Sequence, residues 1–427
     1  MENRNRKGNV AHTAAERGAF NYDKLIDKAV YDALAAVFID GTYCQKAITD
    51  ALKGLKDSRS HAFVTSAFYG VLDKNVRLEK LIDELCDKKP GKAPSVVLKI
   101  GLYYLGYADI PDYAAVNRTV ELSKQINGVY SGFINAVLKK SIGYKPRFKN
   151  KLEEFSYAHC TPEWLCRTLI SDYGETRATS ILDADITDKT HIRPIKNRIT
   201  TEQFDAAARG LLRTEFGCYC DKSELSRFEE NTVIAQSLSS VIAVNTYIKG
   251  LGGGTVLDLC AAPGGKSVYL AEQGNYKITA CDIYPHKVEL IKKLAKKNGV
   301  KLNAVVNDAT KHNEAFDNAF DLVIADCPCS GTGTLKSKPD IMLRRTPSDI
   351  PVLNDTQLKI LYEAANYCKP GGVLCYSTCS VLKSENEKIS AAFLAKHGDY
   401  NLVDEKKLLP DTDKCDGFYI ARFRRSV

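Results

Sequence analysis

Two short stretches place thiols where chemistry is easiest to supply. "IADCPCSGTG" (324–333) sets Cys327 and Cys329 one proline apart after an apolar run, and "GGVLCYSTCS" ends with Cys379 in the same relative place. Apolar runs of this length read as buried strands, and ligands of open parallel sheets sit beyond the carboxyl ends of such strands. Cys329 and Cys379 are therefore candidates for reaction. Cys281, Cys368 and Cys375 fall within strands and read as inert core thiols. Neighbouring strand-end residues alternate sides, so Cys327 is expected to pack behind its loop. Fourteen cysteines in 427 residues are too dilute for a disulfide scaffold. Without zinc-type CxxC pairs or an accompanying histidine, a thiol metal site is the weak alternative and no metal is expected.

A third stretch, "DLCAAPGGKS" (258–267), places Cys260, Ala261, Ala262, Pro263, Gly264, Gly265 and Lys266 between a strand and a helix. Such a turn lets the backbone approach a ligand closely. Cys260 itself reads as packing, and Lys266 either reaches a ligand or is a solvated helix-start lysine. Acids follow at later strand ends. Asp282 lies where a carboxylate accepts ribose hydroxyl protons, Asp308 where one takes a proton from an adenine amino group, and Asp326 beside the two cysteines. Acids in that register after a Gly-rich turn point to a nucleoside-bearing cofactor. Neither G-x-G-x-x-G nor a triphosphate loop is present, so an adenosine without a triphosphate fits, and S-adenosylmethionine is the natural candidate.

The elements that must position these residues are legible in periodicity. From residue 231 short apolar runs alternate with helical segments such as "PHKVELIKKLAKKNG", the βαβ signature of a mostly parallel α/β sheet with helices on both faces. Residues 144–230 read as a linker, "YKPRFKNKLEEF", followed by a small α+β module. Residues 21–143 read as an all-α bundle, with Tyr22, Leu25, Ile26, Ala29, Val30, Ala33, Leu34, Val37 and Phe38 forming its first apolar stripe. Residues 1–20 read as a polar tail without signal-peptide character, which suggests a cytoplasmic chain. No apolar run approaches the roughly 20 residues of a membrane-spanning helix. The net charge of +8 modestly favours an anionic partner such as RNA.

Four motifs make the reading specific: "DLCAAPGGKS", "DCPCSGTGTLKSKPDI", "KPGGVLCYSTCSVLKSENE" and "DGFYIARF". Together they resemble the RNA cytosine-5 methyltransferase family. The helical half, with "IPDYAAVNRTVELSK" and "FINAVLKK", resembles the NusB-like domain of its ribosomal RNA small subunit methyltransferase B branch. The family's usual Gln-Asp pair reads Gln236-Ser237 here, a change at a support position. The resemblance implies a NusB-like bundle, a Rossmann-like methyltransferase domain, S-adenosylmethionine as cofactor, and small-subunit ribosomal RNA as substrate rather than DNA.

Chemistry agrees with that implication. Carbon 5 of cytosine takes a methyl group only after a nucleophile adds to carbon 6, and a thiolate suits both addition and departure. In the family the Thr-Cys cysteine attacks, which maps to Cys379, and the Pro-Cys cysteine, Cys329, assists release. Asp326 then contacts the cofactor's methionine end or holds the cytosine. Lys336, Lys338, Arg344 and Arg345 are expected to meet phosphates. Glu385 and Glu387 read as acids at a helix start. The alternatives are another RNA substrate, such as tRNA, or a non-catalytic RNA-binding protein.

Overall fold

The computed structural model describes residues 14–427, with side chains described from residue 24 onward. The chain divides between Glu163 and Trp164 into two compact units.

The first unit is helical: α1 (Ala14–Phe38), α2 (Cys44–Leu52), α3 (Ser58–Asp73), α4 (Asn75–Leu85), α5 (Lys92–Tyr107), α6 (Asp112–Asn127), α7 (Ser131–Ser141) and α8 (Lys151–Ala158). Helix α1 begins at Ala14, eight residues before Tyr22 at the start of the expected stripe, because "AAERGAF" is rich in good helix formers. Residues 1–13 of the expected tail, and the side chain of Tyr22, lie outside the described residues. Ile26, Ala29, Val30, Ala33, Leu34 and Val37 are buried as the stripe requires, whereas Leu25 is exposed. Burying polar groups in this bundle demands partners. Asp27 accepts from Tyr104 Oη at 2.8 Å and pairs with Arg118 at 2.7 Å. Lys99 reaches Glu79 at 2.9 Å and lies 3.9 Å from the centre of the Phe38 ring. The stretch read as a linker packs on the bundle: Arg147 N–H donates to Glu84, and Lys80 bridges Glu84 and Glu153.

The second unit opens with α9 (Glu163–Tyr173) and α10 (Glu175–Leu182), separated by Gly174. A small antiparallel sheet follows, ordered β2 (Leu212–Thr214), β3 (Gly217–Cys220), β1 (Thr190–Pro194), β4 (Val233–Ala235), with α11 (Thr201–Ala207) against it. Cys218 and Cys220 of "CYC" are core here, packed with Ile192 and Phe204.

The large sheet contains β5 (Gly254–Asp258), β6 (Tyr276–Asp282), β7 (Asn303–Val306), β8 (Phe320–Asp326), β9 (Cys368–Thr378), β10 (Tyr400–Leu408) and β11 (Phe418–Arg425). Their spatial order is β10-β11-β9-β8-β5-β6-β7. Strands β5 to β9 pair in parallel; β11 runs antiparallel to both β9 and β10. Alternation sorts the strand residues onto two faces. Leu257, Val323, Leu374 and Tyr376 meet α16 (Asp349–Tyr367) and α17 (Glu387–Lys396). Val256, Leu322, Val373 and Cys375 meet α12 (Leu238–Tyr247), α13 (Gly265–Gln273) and α14 (Pro285–Asn298). Two short helices, α15 (Ile341–Arg344) and α18 (Pro410–Asp413), complete the unit. Among the described residues no helix is long and apolar enough to cross a membrane.

Helix α17 is anchored by Phe393, fully buried with its ring 4.8 Å from Phe423 and 5.2 Å from Tyr400. Truncating it leaves a cavity under the helix that follows the Cys379 loop. Phe393→Ala should therefore destabilise the second unit by about 3–5 kcal/mol, measured as a lowered midpoint in urea unfolding.

Candidate active site

The order of strands reverses between β5 and β8, where an open α/β sheet forms its crevice. Asp258, Asp282 and Asp326 are the last residues of β5, β6 and β8, and Cys379 directly follows β9. Asp326 stands opposite Ser377 in the parallel register of β8 with β9. The two strands thus deliver "DCPC" and "STCS" side by side.

Beyond that register the two cysteine loops are fastened together. Cys327 N–H donates to Ser377 O at 2.9 Å, and Gly333 N–H to Cys379 O at 2.9 Å. Gly417 N–H donates to Gly333 O at 2.7 Å, so "SGTG", "STCS" and "DGF" converge on one glycine. A Cβ at residue 333 would lie 2.2 Å from Gly417 O, which only glycine avoids. The result brings Cys329 Sγ within 3.1 Å of Cys379 Sγ.

The charges around the pair make its members unequal. Donation from Cys329 holds the Cys379 thiol below its ordinary value; burial and Asp326 oppose this, while Lys338 and Lys266 reinforce it. Cys329 is pushed well above its ordinary value by its hydrogen bond to Cys379, by burial and by Glu385. Cys379 is thus the more readily ionised thiol of the two. Cys327 is buried on the opposite face among α16 contacts, and burial pushes its thiol up. Cys260 is likewise pushed well up by burial.

Lys266 forms an ion pair with Asp326 at 2.8 Å. The other Asp326 oxygen accepts from Ser377 Oγ at 2.8 Å, and Ser377 Oγ lies 2.6 Å from the hydroxyl of the fully buried Tyr247. Asp326 is therefore held from two sides. At the neighbouring turn Gly264 adopts φ +107°, and a Cβ at Gly265 would meet nothing nearer than Gln236 Nε2 at 3.8 Å. Ala261 N–H donates to Cys281 O at 2.8 Å, tying this turn to the end of β6, where Asp282 Oδ1 accepts from Tyr284 N–H at 3.1 Å and Oδ2 is 3.8 Å from Lys287 Nζ. Asn307, whose N–H donates to Asp282 O, carries a buried Nδ2 without a partner. An open glycine cradle, an acid and an unused amide donor fit an adenosine-bearing group. Asp308 falls two residues past β7 rather than at its end, because the strand stops at Val306. Its Oδ1 accepts from Thr310 N–H and Oγ1, and its Oδ2 is 3.3 Å from Lys311.

Residues 248–424 match the family 16S rRNA methyltransferase RsmB/F, and residues 28–142 match the NusB family. A Bacillus subtilis protein named probable ribosomal RNA small subunit methyltransferase B is 30% identical over 86% of this chain and 91% of its own. The Vibrio vulnificus ribosomal RNA small subunit methyltransferase B is also 30% identical, over 92% and 97%. The chain belongs to this methyltransferase family. Its methyl donor is S-adenosylmethionine and its substrate is RNA. The crystal structure of PH0851 superposes with a TM-score of 0.79 at 25% identity, covering 94% of this chain and 99% of that one. NSun6 from Pyrococcus horikoshii shares the fold over 64% of this chain, with a TM-score of 0.53 at 18% identity.

Several residues of the methyltransferase act differently from the sequence expectation. Lys336 is not free for phosphate: its ammonium donates to Ala184 O. Arg345 donates to the carbonyls of Cys329 and Ser330 at 3.2 and 3.3 Å, bracing the thiol loop from within. Arg344 pairs with Asp340 at 3.6 Å, and Lys338 is exposed. Helix α17 starts at Glu387, so Glu385 precedes it; Glu385 is fully buried, and Glu387 pairs with Lys407. Sequence reasoning missed Arg193, which is 1% exposed and pairs with Glu272 at 2.6 Å. Arg193 donates to Gln236 Oε1 at 2.7 Å, and Gln236 Nε2 donates to Gly265 O at 3.2 Å. The small sheet thereby braces the cradle. The signal was Gln236 itself, noted only as a partner to an altered neighbour.

Alkylation with iodoacetamide should modify Cys379 first, with a midpoint below the ordinary thiol range near pH 8.5. Cys329→Ala removes the main cause of that depression, so the midpoint for Cys379 should move to higher pH, as read by peptide mass spectrometry across a pH series.

Proposed function

We propose that the protein methylates carbon 5 of a cytosine in small-subunit ribosomal RNA, in the cytoplasm, with Cys379 as nucleophile. The observation that carries this reading is the close pair of unlike thiols beside Asp326, Cys329 buried and Cys379 half-buried, next to a glycine turn. A structural cysteine pair needs neither a lysine-flanked thiolate nor a carboxylate fixed by two partners.

In this reading Gly264, Gly265 and Asp282 hold S-adenosylmethionine, with Asp308 and Asn307 flanking it and Cys260, Ala261, Ala262 and Pro263 shaping the turn. When bound, the cofactor supplies an electrophilic methyl group on a sulfonium. Cys379 adds to carbon 6 of the cytosine, which turns carbon 5 into the nucleophilic end of an enamine. Asp326, kept in place by Lys266 and Ser377, accepts a hydrogen bond from the cytosine's amino group or from protonated nitrogen 3, where charge develops. After methyl transfer a water molecule takes the carbon 5 proton, the electron pair left behind forms the carbon 5–carbon 6 double bond as the Cys379–carbon 6 bond breaks, and Cys379 departs as a thiolate. Cys329 supports that release by donating again to the returning sulfur. The target base must leave its stack to reach a crevice this enclosed, and Lys338 at its rim faces the phosphates.

Incubation of the protein with radiolabelled S-adenosylmethionine and small-subunit rRNA from cells lacking this gene should place label on carbon 5 of one cytosine. On denaturing gels Cys329→Ala should accumulate a covalent protein–RNA band and Cys379→Ala should form none. No incorporation, on naked RNA or on assembled subunits, overturns the reading.

A further inference from the structure

Glu385 poses a problem that the reaction above leaves unused. Its side chain is fully buried, and no basic side chain pairs with it among the described residues. Burying a carboxylate without a cation is costly unless donors surround it. Here they do. Oε1 accepts from Ser330 N–H at 2.8 Å and from Gln357 Nε2 at 3.2 Å; Oε2 accepts from Ser380 Oγ at 2.6 Å and also from Ser330 Oγ.

The identity of these donors is what matters. Ser330 directly follows Cys329, and Ser380 directly follows Cys379. One carboxylate is therefore bonded to the residue next to each thiol. Its surroundings tighten the same clasp: Gln357 Nε2 also donates to Pro328 O at 3.0 Å, on the other side of Cys329. Asn386, the next residue, accepts from Thr378 Oγ1 at 2.6 Å and donates to Ser380 O at 2.9 Å, enclosing Cys379. An apolar side chain of similar size would fill this space without the desolvation cost, but it would join neither loop.

We infer that Glu385 is a positioning residue for both thiols, its carboxylate joining the Cys329 loop to the Cys379 loop so that the sulfurs meet as donor and acceptor in a fixed order. The charged groups facing the pair are Lys266, Lys338 and Asp326 around Cys379, and Glu385 on the side of Cys329. Tyr376, neutral and buried, packs beside Cys329. The two lysines favour a negative sulfur at Cys379, whereas the Glu385 charge disfavours one at Cys329. Removing that charge should let the proton distribute between the sulfurs. For turnover this rests on the methyltransferase reading; for the order of the thiols it does not.

The test is competitive alkylation of the full chain by limiting iodoacetamide at neutral pH, with the Cys379 to Cys329 label ratio read by peptide mass spectrometry. Wild-type protein should label mainly at Cys379. In Glu385→Gln, which keeps the size but removes the charge and puts an amide NH2 where one carboxylate oxygen accepts, the ratio should fall about tenfold, the equivalent of one pKa unit. Affinity for S-adenosylmethionine should be unchanged and kcat lowered without a change in KM. An unchanged ratio in folded Glu385→Gln overturns the inference. Should that variant not fold, Ser330→Ala is read in the same way, with a several-fold fall expected and an unchanged ratio again decisive against it. The assay needs no RNA, so wild-type protein that labels in this order, shifts with Glu385→Gln and transfers no methyl group would support the inference while refuting the methyltransferase reading.

Discussion

Everything in the candidate site depends on the parallel pairing of β8 with β9. That register sets Asp326 against Ser377, and the chain then leaves both strands at the same edge of the sheet. A shift of one residue would turn every side chain to the other face. Ser377 would then leave Asp326, and Cys379 would point away from Cys329. The register is held by the core on both faces, since Val323 and Leu374 serve one layer and Leu322 and Val373 the other. Packing far from the chemistry thus decides whether two sulfurs meet.

Electrostatics then distinguishes two residues of the same type. Cys329 and Cys379 sit at equivalent strand ends, but lysines flank one and a buried acid backs the other. In a site this enclosed such charges act with little screening. The acid group nearest the cofactor turn shows the same effect of burial: Asp258, fully enclosed, is pushed up to about 6 despite the hydrogen bond from Ser267. Asp326 escapes isolation because Lys266 pairs with it, which makes this lysine part of the crevice rather than a solvated helix start.

The sequence made the thiol pair and the glycine turn legible because strand alternation and strand ends leave a period in the chain, and the four motifs sharpened that reading into a family. Contacts between distant segments leave no such period. Lys336 and Arg345 read as phosphate ligands because composition shows a cation but not the carbonyl that occupies it. Glu385 read as a helix-start acid because "SENE" has the right residue types, yet α17 begins only at Glu387. Strand β10 escaped notice because its outward "DEKK" breaks the apolar alternation, as suits an edge strand. The Arg193–Gln236–Gly265 brace joins residues over 70 positions apart, beyond the reach of any local pattern.

The central claim is that Cys379, and not Cys329, forms the bond to cytosine. RNA containing 5-fluorocytidine tests it directly, because fluorine at carbon 5 cannot leave as a proton does and the adduct cannot resolve. After reaction with S-adenosylmethionine, nuclease and protease digestion followed by mass spectrometry should find the modified nucleotide on the peptide carrying Cys379. The same nucleotide on the peptide carrying Cys329 would contradict the account.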